Sequence, residues 1–345
     1  MSRKASDYDE SDVRVRPSRR GSRPRSKDRP AHEDAVPGFV IAVDRGRYTV
    51  LIPRGKGRKA EPERLVTAMK ARELGRKGIV VGDDVGLVGD TTGNPDGLAR
   101  IVRLTPRRSV LRRSADDTDP VERVLVSNAD QLVIVSALAN PEPRPRLIDR
   151  CLVAAYDAGL EPLLVLTKAD LKDPAEFLGS YAPLNVPNVV TSTGESGFDG
   201  LEGLTERLVG RVSVFVGHSG VGKSTLVNGL VPDARRAVGI VNDHTGRGRH
   251  TSSSAVALRL PDGDGWVIDT PGVRSFGLAH VDLGRIIQHF PELEAGTGLC
   301  PRGCTHDEEE CALDAWVASG QAGPAGASRL ESLRRLLRAR SGEGD

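Results

Sequence analysis

The chain has 345 residues, 38% of them hydrophobic and 28% charged, enough to bury a full core and to divide into two or three domains, which excludes a small disulfide scaffold. Its apolar runs, such as Leu132 to Val135 and Leu163 to Leu166, fall far short of the roughly 18 residues that a membrane helix requires. Forty-nine Lys and Arg against 47 Asp and Glu leave a net charge of +2, and aromatics make up 3%, so any nucleic-acid affinity must come from local charge and not from stacking on many rings.

Residues 1–35 lack apolar periodicity, and Arg14 to Arg29 read as Arg, Lys, Ser and Pro with Asp28 the only acid. This is the composition of a disordered basic arm, either a solvated tail or a segment that tracks phosphates. From Gly38 the pattern changes to short β-prone runs, Phe39 to Val43, Tyr48 to Ile52, Val80 to Leu87 and Ala99 to Leu104, punctuated by Gly, Asp and Asn. Such runs predict a small antiparallel barrel of the OB type over residues 36–114. The Gly55-Lys56-Gly57-Arg58-Lys59 loop and the pairs Arg107-Arg108 and Arg112-Arg113 put positive charge on its connections, as solvated loops or as an RNA-binding surface.

Near Asn128 the rhythm becomes strand, helix, strand, helix. Gln131 to Ala137, Pro162 to Leu166, Asn188 to Thr191 and Val212 to Val216 read as strands; Leu147 to Ala158, Leu201 to Leu208 and Lys223 to Leu230 read as helices. Continuous apolar strands alternating with helices predict an α/β domain over 115–280, with a parallel sheet covered on both faces.

The strongest motif is Gly217-His218-Ser219-Gly220-Val221-Gly222-Lys223-Ser224, a complete G-x-x-x-x-G-K-[ST] between an apolar strand and a helix. Glycines let successive N–H groups turn toward phosphate oxygens, and the helix that follows, Thr225 included, adds its dipole. Lys223 would reach the β and γ phosphates and the Ser224 hydroxyl would ligate Mg²⁺. Asp269-Thr270-Pro271-Gly272 ends a second apolar strand 46 residues later. There Asp269 would hold Mg²⁺ through water and the Gly272 N–H would sense the γ-phosphate.

Base choice falls to Thr167-Lys168-Ala169-Asp170, immediately after the strand ending at Leu166. A carboxylate at Asp170 can accept from guanine N1–H and the 2-amino group, which adenine lacks, while the Lys168 stem lies over the purine. Ser192, after the next strand, would support the base with a backbone N–H. The position after D-x-x-G is Val273, which cannot orient a water. The polar segment Gly246 to Ser253 offers replacements: Thr251 for Mg²⁺ and His250 to orient or deprotonate the attacking water.

Of four cysteines, three lie in the run Cys300, Cys304, His306, Cys311, which offers three thiolates and an imidazole to a closed, structural Zn²⁺ site. Helices are expected around it over 281–345. The last, Leu330 to Arg340, carries Arg334, Arg335, Arg338 and Arg340, as a further RNA contact or as a solvated face.

The base-reading motif precedes the phosphate loop, the reverse of the usual GTPase order. A circular permutation of this kind still works, because the site is assembled at the carboxyl ends of neighbouring strands. Permuted order, preceding barrel and trailing Cys-His cluster together make the chain resemble the RsgA (YjeQ/YloQ) family of small-subunit ribosome assembly GTPases, from about Gly38 to the C-terminal helix. The resemblance implies an OB-fold, a permuted GTPase domain and a helical zinc domain. It also implies a catalytic histidine at the position of His250, and GTP hydrolysis stimulated by the small ribosomal subunit and its rRNA. Two departures stand out: Thr167 occupies a position where many GTPases carry Asn, and the Cys-His spacings are short. The expectation is a cytoplasmic, monomeric GTPase using Mg²⁺ and one structural Zn²⁺, without a membrane partner. The rivals are a metabolic P-loop ATPase or kinase, and a catalytically silent zinc and OB-fold RNA-binding protein.

Overall fold

Five short strands close on themselves because their apolar residues alternate with polar ones and their edges pair in a ring. The computed structural model describes residues 32–55, 61–75, 78–113, 123–194, 197–232, 234, 255–261, 264–270, 278 and 281–341. In it β1 (Val36–Asp44), β2 (Arg47–Ile52), β3 (Arg64–Lys70), β4 (Asp84–Gly89) and β5 (Ala99–Leu104) form a barrel in the order β1-β2-β3-β5-β4, with β4 returning to β1. Val40, Val50, Val66, Leu87 and Ile101 fill it. This is the expected OB-type barrel with two changes. The Arg64–Lys70 strand was not predicted, since its Ala, Met and Lys favour helix; its register against β2, Val66 opposite Val50, overrides that preference. The expected Val80 strand begins at Asp84 instead. Gly82 (φ +93°) and a hydrogen bond from Val80 N to the Asp83 carboxylate (2.8 Å) turn the chain first.

A hairpin of β6 (Val110–Arg113) and β7 (Arg123–Ser127) leads into the α/β region. Here β8 (Gln131–Ala137), β9 (Glu161–Thr167), β10 (Asn188–Val190), the small hairpin β11 (Ser192–Gly194) and β12 (Gly197–Asp199), β13 (Val212–Gly217), β14 (Val256–Arg259) and β15 (Trp266–Asp269) follow. The helices are α1 (Pro145–Ala158), α2 (Ala175–Tyr181), α3 (Leu201–Leu208) and α4 (Lys223–Leu230). The sheet runs β10-β9-β8-β13-β15-β14 and is parallel from β10 to β15. All of β8 is buried, as a sheet covered on both faces demands. α1 starts with Pro145 at its first turn and stops at Gly159 in a left-handed conformation (φ +66°), the usual start and stop chemistry. Cys151, on its buried face, is a core residue whose thiol burial pushes up to about 12.

β14 also pairs with β1, Ala42 opposite Val256, so barrel and α/β sheet share one hydrogen-bonded array. Asp83 fixes the joint. Its fully buried carboxylate accepts from Arg107 Nε (2.7 Å) and Nη2 (2.8 Å) and from the Ser127 hydroxyl (2.7 Å). A Cβ on Gly82 would stand 2.0 Å from the Ser127 carbonyl oxygen, so only glycine permits this approach. Arg107 is therefore neutralised inside the molecule, and Arg108 pairs with Asp130 (2.8 Å).

The C-terminal region folds as α5 (Leu283–Ile287), α6 (Pro291–Glu294), α7 (Ala312–Ala318) and α8 (Gly326–Ser341). α8 packs on α1, burying Leu333 and Leu336 completely, each worth roughly 1.5–3 kcal/mol. Three of its arginines pair with acids. Arg334 meets Asp314, Arg335 meets Asp149 and Arg338, itself exposed, meets Asp307, so each of the three has an acid of the same chain as its partner.

Candidate functional site

The carboxyl ends of β13, β15 and β9 lie along one edge of the sheet, because these strands are parallel and near neighbours. From β13 the chain enters the phosphate loop, where Gly220 (φ +84°) and Gly222 (φ +89°) are left-handed; these are conformations that side chains resist. Gly217, His218 and Gly222 are half-buried, Val221 is buried, and Ser219, Gly220, Ser224 and Thr225 are exposed. The His218 Nδ1–H donates to the Ser219 carbonyl (2.9 Å). α4 begins at Lys223, and the Lys223 Nζ pairs with the Asp269 carboxylate. Asp269 stands beside Phe215 in the β13–β15 register, and the buried Thr270 hydroxyl donates to the Phe215 carbonyl (2.6 Å). Phosphate loop and D-x-x-G strand thus face one space, and Thr270, absent from the expected set, fixes their spacing.

The segment from Thr167 to Asp170 approaches the same loop from β9. Thr167 is buried, and its hydroxyl donates to the Val221 carbonyl (2.6 Å). Lys168, in a left-handed conformation (φ +60°), donates to the Gly220 carbonyl (3.0 Å) and to the Asn140 carbonyl. The Ala169 N–H donates to the Thr191 carbonyl (3.2 Å), which ties the base-reading turn to the chain entering Ser192. The Ser192 hydroxyl donates to Asp199 (3.2 Å). Asp170 is exposed and, among the described residues, no hydrogen bond engages its carboxylate. Asn140 had no sequence signal, since its part is played by a backbone carbonyl. His250, Thr251 and Gly272 lie outside the described residues, as do the arm up to residue 31 and the loop 56–60.

In the C-terminal region Cys300, Cys304, His306 and Cys311 converge, their ligand atoms all within 4.8 Å of one another. The His306 Nδ1 lies 3.6 Å from Cys300 Sγ, 3.7 Å from Cys304 Sγ and 3.8 Å from Cys311 Sγ, and Cys300 Sγ lies 3.9 Å from Cys311 Sγ. Thiolates and an imidazole around a tetrahedral ion of zinc's bond lengths would stand about 3.6–3.8 Å apart, so the donor set fits such an ion. Burial holds His306 below its ordinary range, leaving a neutral ring able to ligate. Around the donors, Arg334 Nε donates to the His306 carbonyl (2.9 Å), and Glu308 accepts from Thr305 N (3.0 Å) and the Thr305 hydroxyl (2.8 Å). These Thr305 bonds hold the Glu308 carboxyl at about 2.

Comparison with known proteins gives a consistent result. The sequence model of the RsgA GTPase family matches residues 104–279. The chain is 42% identical over 267 residues to the small ribosomal subunit biogenesis GTPase RsgA of Ectopseudomonas mendocina, covering 75% of this chain and 74% of that protein. It is 41% identical over 249 residues to the protein so described in Pseudomonas putida, 70% of each chain. Among solved structures it is similar to YjeQ from Thermotoga maritima, with a TM-score of 0.61 and 26% identity over 89% of this chain and 99% of that one. YloQ, described as a circularly permuted GTPase, shares the fold at a TM-score of 0.59 and 20% identity, over 92% of this chain and 99% of its own.

Proposed function

The chain belongs to the RsgA GTPase family, and on that premise we propose how its residues divide the work of a GTPase acting in small ribosomal subunit maturation. The observation that carries the reading is the pairing of Lys223 with Asp269 on the sheet edge where Thr167 and Lys168 brace the phosphate loop. Backbone N–H groups of Gly217 to Ser224 cradle the phosphates, with Thr225 in the following turn. Lys223 releases Asp269 to reach the β and γ phosphates. Ser224, Thr251 and, through water, Asp269 would hold Mg²⁺, which would supply neutralisation of the charge that develops on the phosphates. Asp170 reads guanine N1–H and the 2-amino group, Lys168 lies along the purine, and Ser192 supports the base. The Gly272 N–H senses the γ-phosphate and His250 orients the attacking water.

The same reading divides the chain into a basic arm (1–35), an RNA-contacting OB barrel (36–114), the permuted GTPase domain (115–280) and a helical zinc domain (281–345). Cys300, Cys304, His306 and Cys311 hold one structural Zn²⁺. The partner is the small ribosomal subunit through its rRNA, met by a monomer in the cytoplasm; among the described residues no helix is long and apolar enough to cross a membrane. Family membership removes the two rivals, a metabolic ATPase or kinase and a catalytically silent RNA-binding protein.

Steady-state GTP turnover tests the reading, measured alone and with purified small or large subunits and with Lys223→Ala as the blank. Slow intrinsic turnover that only the small subunit accelerates is the expected result, since a water-positioning loop needs a partner to order it. Acceleration by neither subunit, or only by the large one, would refute the assigned partner.

A further inference from the structure

α8 serves two parts of the molecule with neighbouring side chains. Toward the metal loop, Arg334 donates to the His306 carbonyl (2.9 Å) and to both oxygens of Asp314 (2.9 and 2.6 Å), and Arg338 grips Asp307 (2.8 and 2.7 Å). Toward the GTPase sheet, the next residue, Arg335, has its Nε 3.1 Å from Asp149, whose side chain is 4% exposed. The Arg335 guanidinium also lies over the Tyr181 ring at 4.8 Å and donates to the Ser180 carbonyl (3.3 Å). Asp149 belongs to α1, and Ser180 and Tyr181 to α2. The Tyr181 hydroxyl in turn donates to the Pro145 carbonyl at the start of α1 (3.3 Å).

Both helices begin at the nucleotide edge. α1 follows the loop whose Asn140 carbonyl receives Lys168, and α2 starts five residues after Asp170. A carboxylate as deeply buried as Asp149 keeps its charge, and the contacts that the charge makes, only with its partner in place. A shift of α8 that drew Arg335 away would therefore move α1 and α2, and with them both supports of the purine subsite.

We propose that Arg335 is a positioning residue for the guanine nucleotide, set in place by the metal loop through Arg334, so that occupancy of the four-donor site and guanine affinity are coupled. The proposal rests on the reading of those two sites given above. By linkage the coupling is reciprocal: whatever loosens the metal loop weakens nucleotide binding, and bound nucleotide tightens the loop.

The test uses the full chain, zinc-loaded or stripped with a chelator. Metal content is measured directly and GDP affinity by titration with a fluorescent GDP, below the first thermal transition of each sample. Stripping is expected to raise the wild-type dissociation constant about five- to tenfold, the low end of ordinary coupling. Replacing Arg335 alone would orphan the Asp149 carboxylate, so the informative variant is the pair Asp149→Leu, Arg335→Leu. It should keep its zinc, bind GDP more weakly from the start and lose nothing further on stripping. Arg335→Lys, which keeps the charge without the flat guanidinium, should recover part of the response. A wild-type affinity unmoved by complete metal loss would overturn the proposal, as would an equal loss in the paired variant. Loaded wild-type protein without zinc, or without GDP binding, would overturn the site reading itself and the proposal with it.

Discussion

At the residue scale, Thr167 shows how one hydroxyl replaces an amide. At this position many GTPases use Asn to brace the phosphate loop. Here the buried threonine hydroxyl donates to the Val221 carbonyl at 2.6 Å, while the methyl and Cβ lie where a Cβ on Gly222 would meet them, 3.8 Å away. Val has the same shape without the donor. Thr167→Val therefore leaves a carbonyl of the glycine-rich loop without this donor, at a cost of about 1–3 kcal/mol. The expected outcome is a loss of GDP affinity of roughly tenfold, with Thr167→Ser close to wild type; fluorescent GDP titration measures both. Equal affinities for all three proteins would show that the hydroxyl carries no weight.

Among the elements, the metal loop turns on two left-handed residues, Gly303 (φ +81°) and His306 (φ +70°), which fold twelve residues tightly enough to converge four donors. Burial raises the Cys304 thiol to about 12 and pushes Cys311 up as well, so without metal both carry protons near neutrality. Zinc needs thiolates, and binding must displace at least these two protons. The sign follows: apparent affinity falls as pH falls, by roughly 100-fold per unit for two protons. His306, held below its ordinary range by burial, adds no proton of its own until the solution is more acid than that range. Competition against a chromophoric chelator at pH 6.5 and 7.5 measures the slope; a flat response would mean that the thiols are not the ligands.

For the whole molecule, the joint at Asp83 decides whether barrel and GTPase sheet behave as one body. Its carboxylate collects Arg107, Ser127 and the Val80 N–H beneath a surface that leaves it no exposure. Removing one partner of such a pair strands the others, which costs about 3–5 kcal/mol. Asp83→Ala is expected to lower the free energy of unfolding measured in urea by that amount, with a correspondingly lower midpoint, and to separate barrel unfolding from sheet unfolding. A single transition at the wild-type midpoint would contradict the joint. Because β14 pairs with both β15 and β1, the strand that ends in Asp269 is one strand removed from the barrel.

The sequence by itself determined which chemistry-bearing side chains come together. The meeting of the phosphate loop with Asp269 and the convergence of the Cys-His run were legible because each motif needs fixed residue types at fixed short spacing, and β8, α3 and α4 run between the residues that their apolar periods predict. Only the tertiary structure decided what depends on partners far away in the chain. β3 is a strand through its register with β2, the β6–β7 hairpin and α2 carry no strong periodic signal, and the acids that pair with Arg334, Arg335 and Arg338 of α8 lie elsewhere in the chain. Arg150 donates to the carbonyl of Ala339, 189 residues away; no local pattern encodes such a contact. Charge in a sequence gives the sign of an interaction, and the fold alone says whether its partner is water, RNA or another part of the same chain.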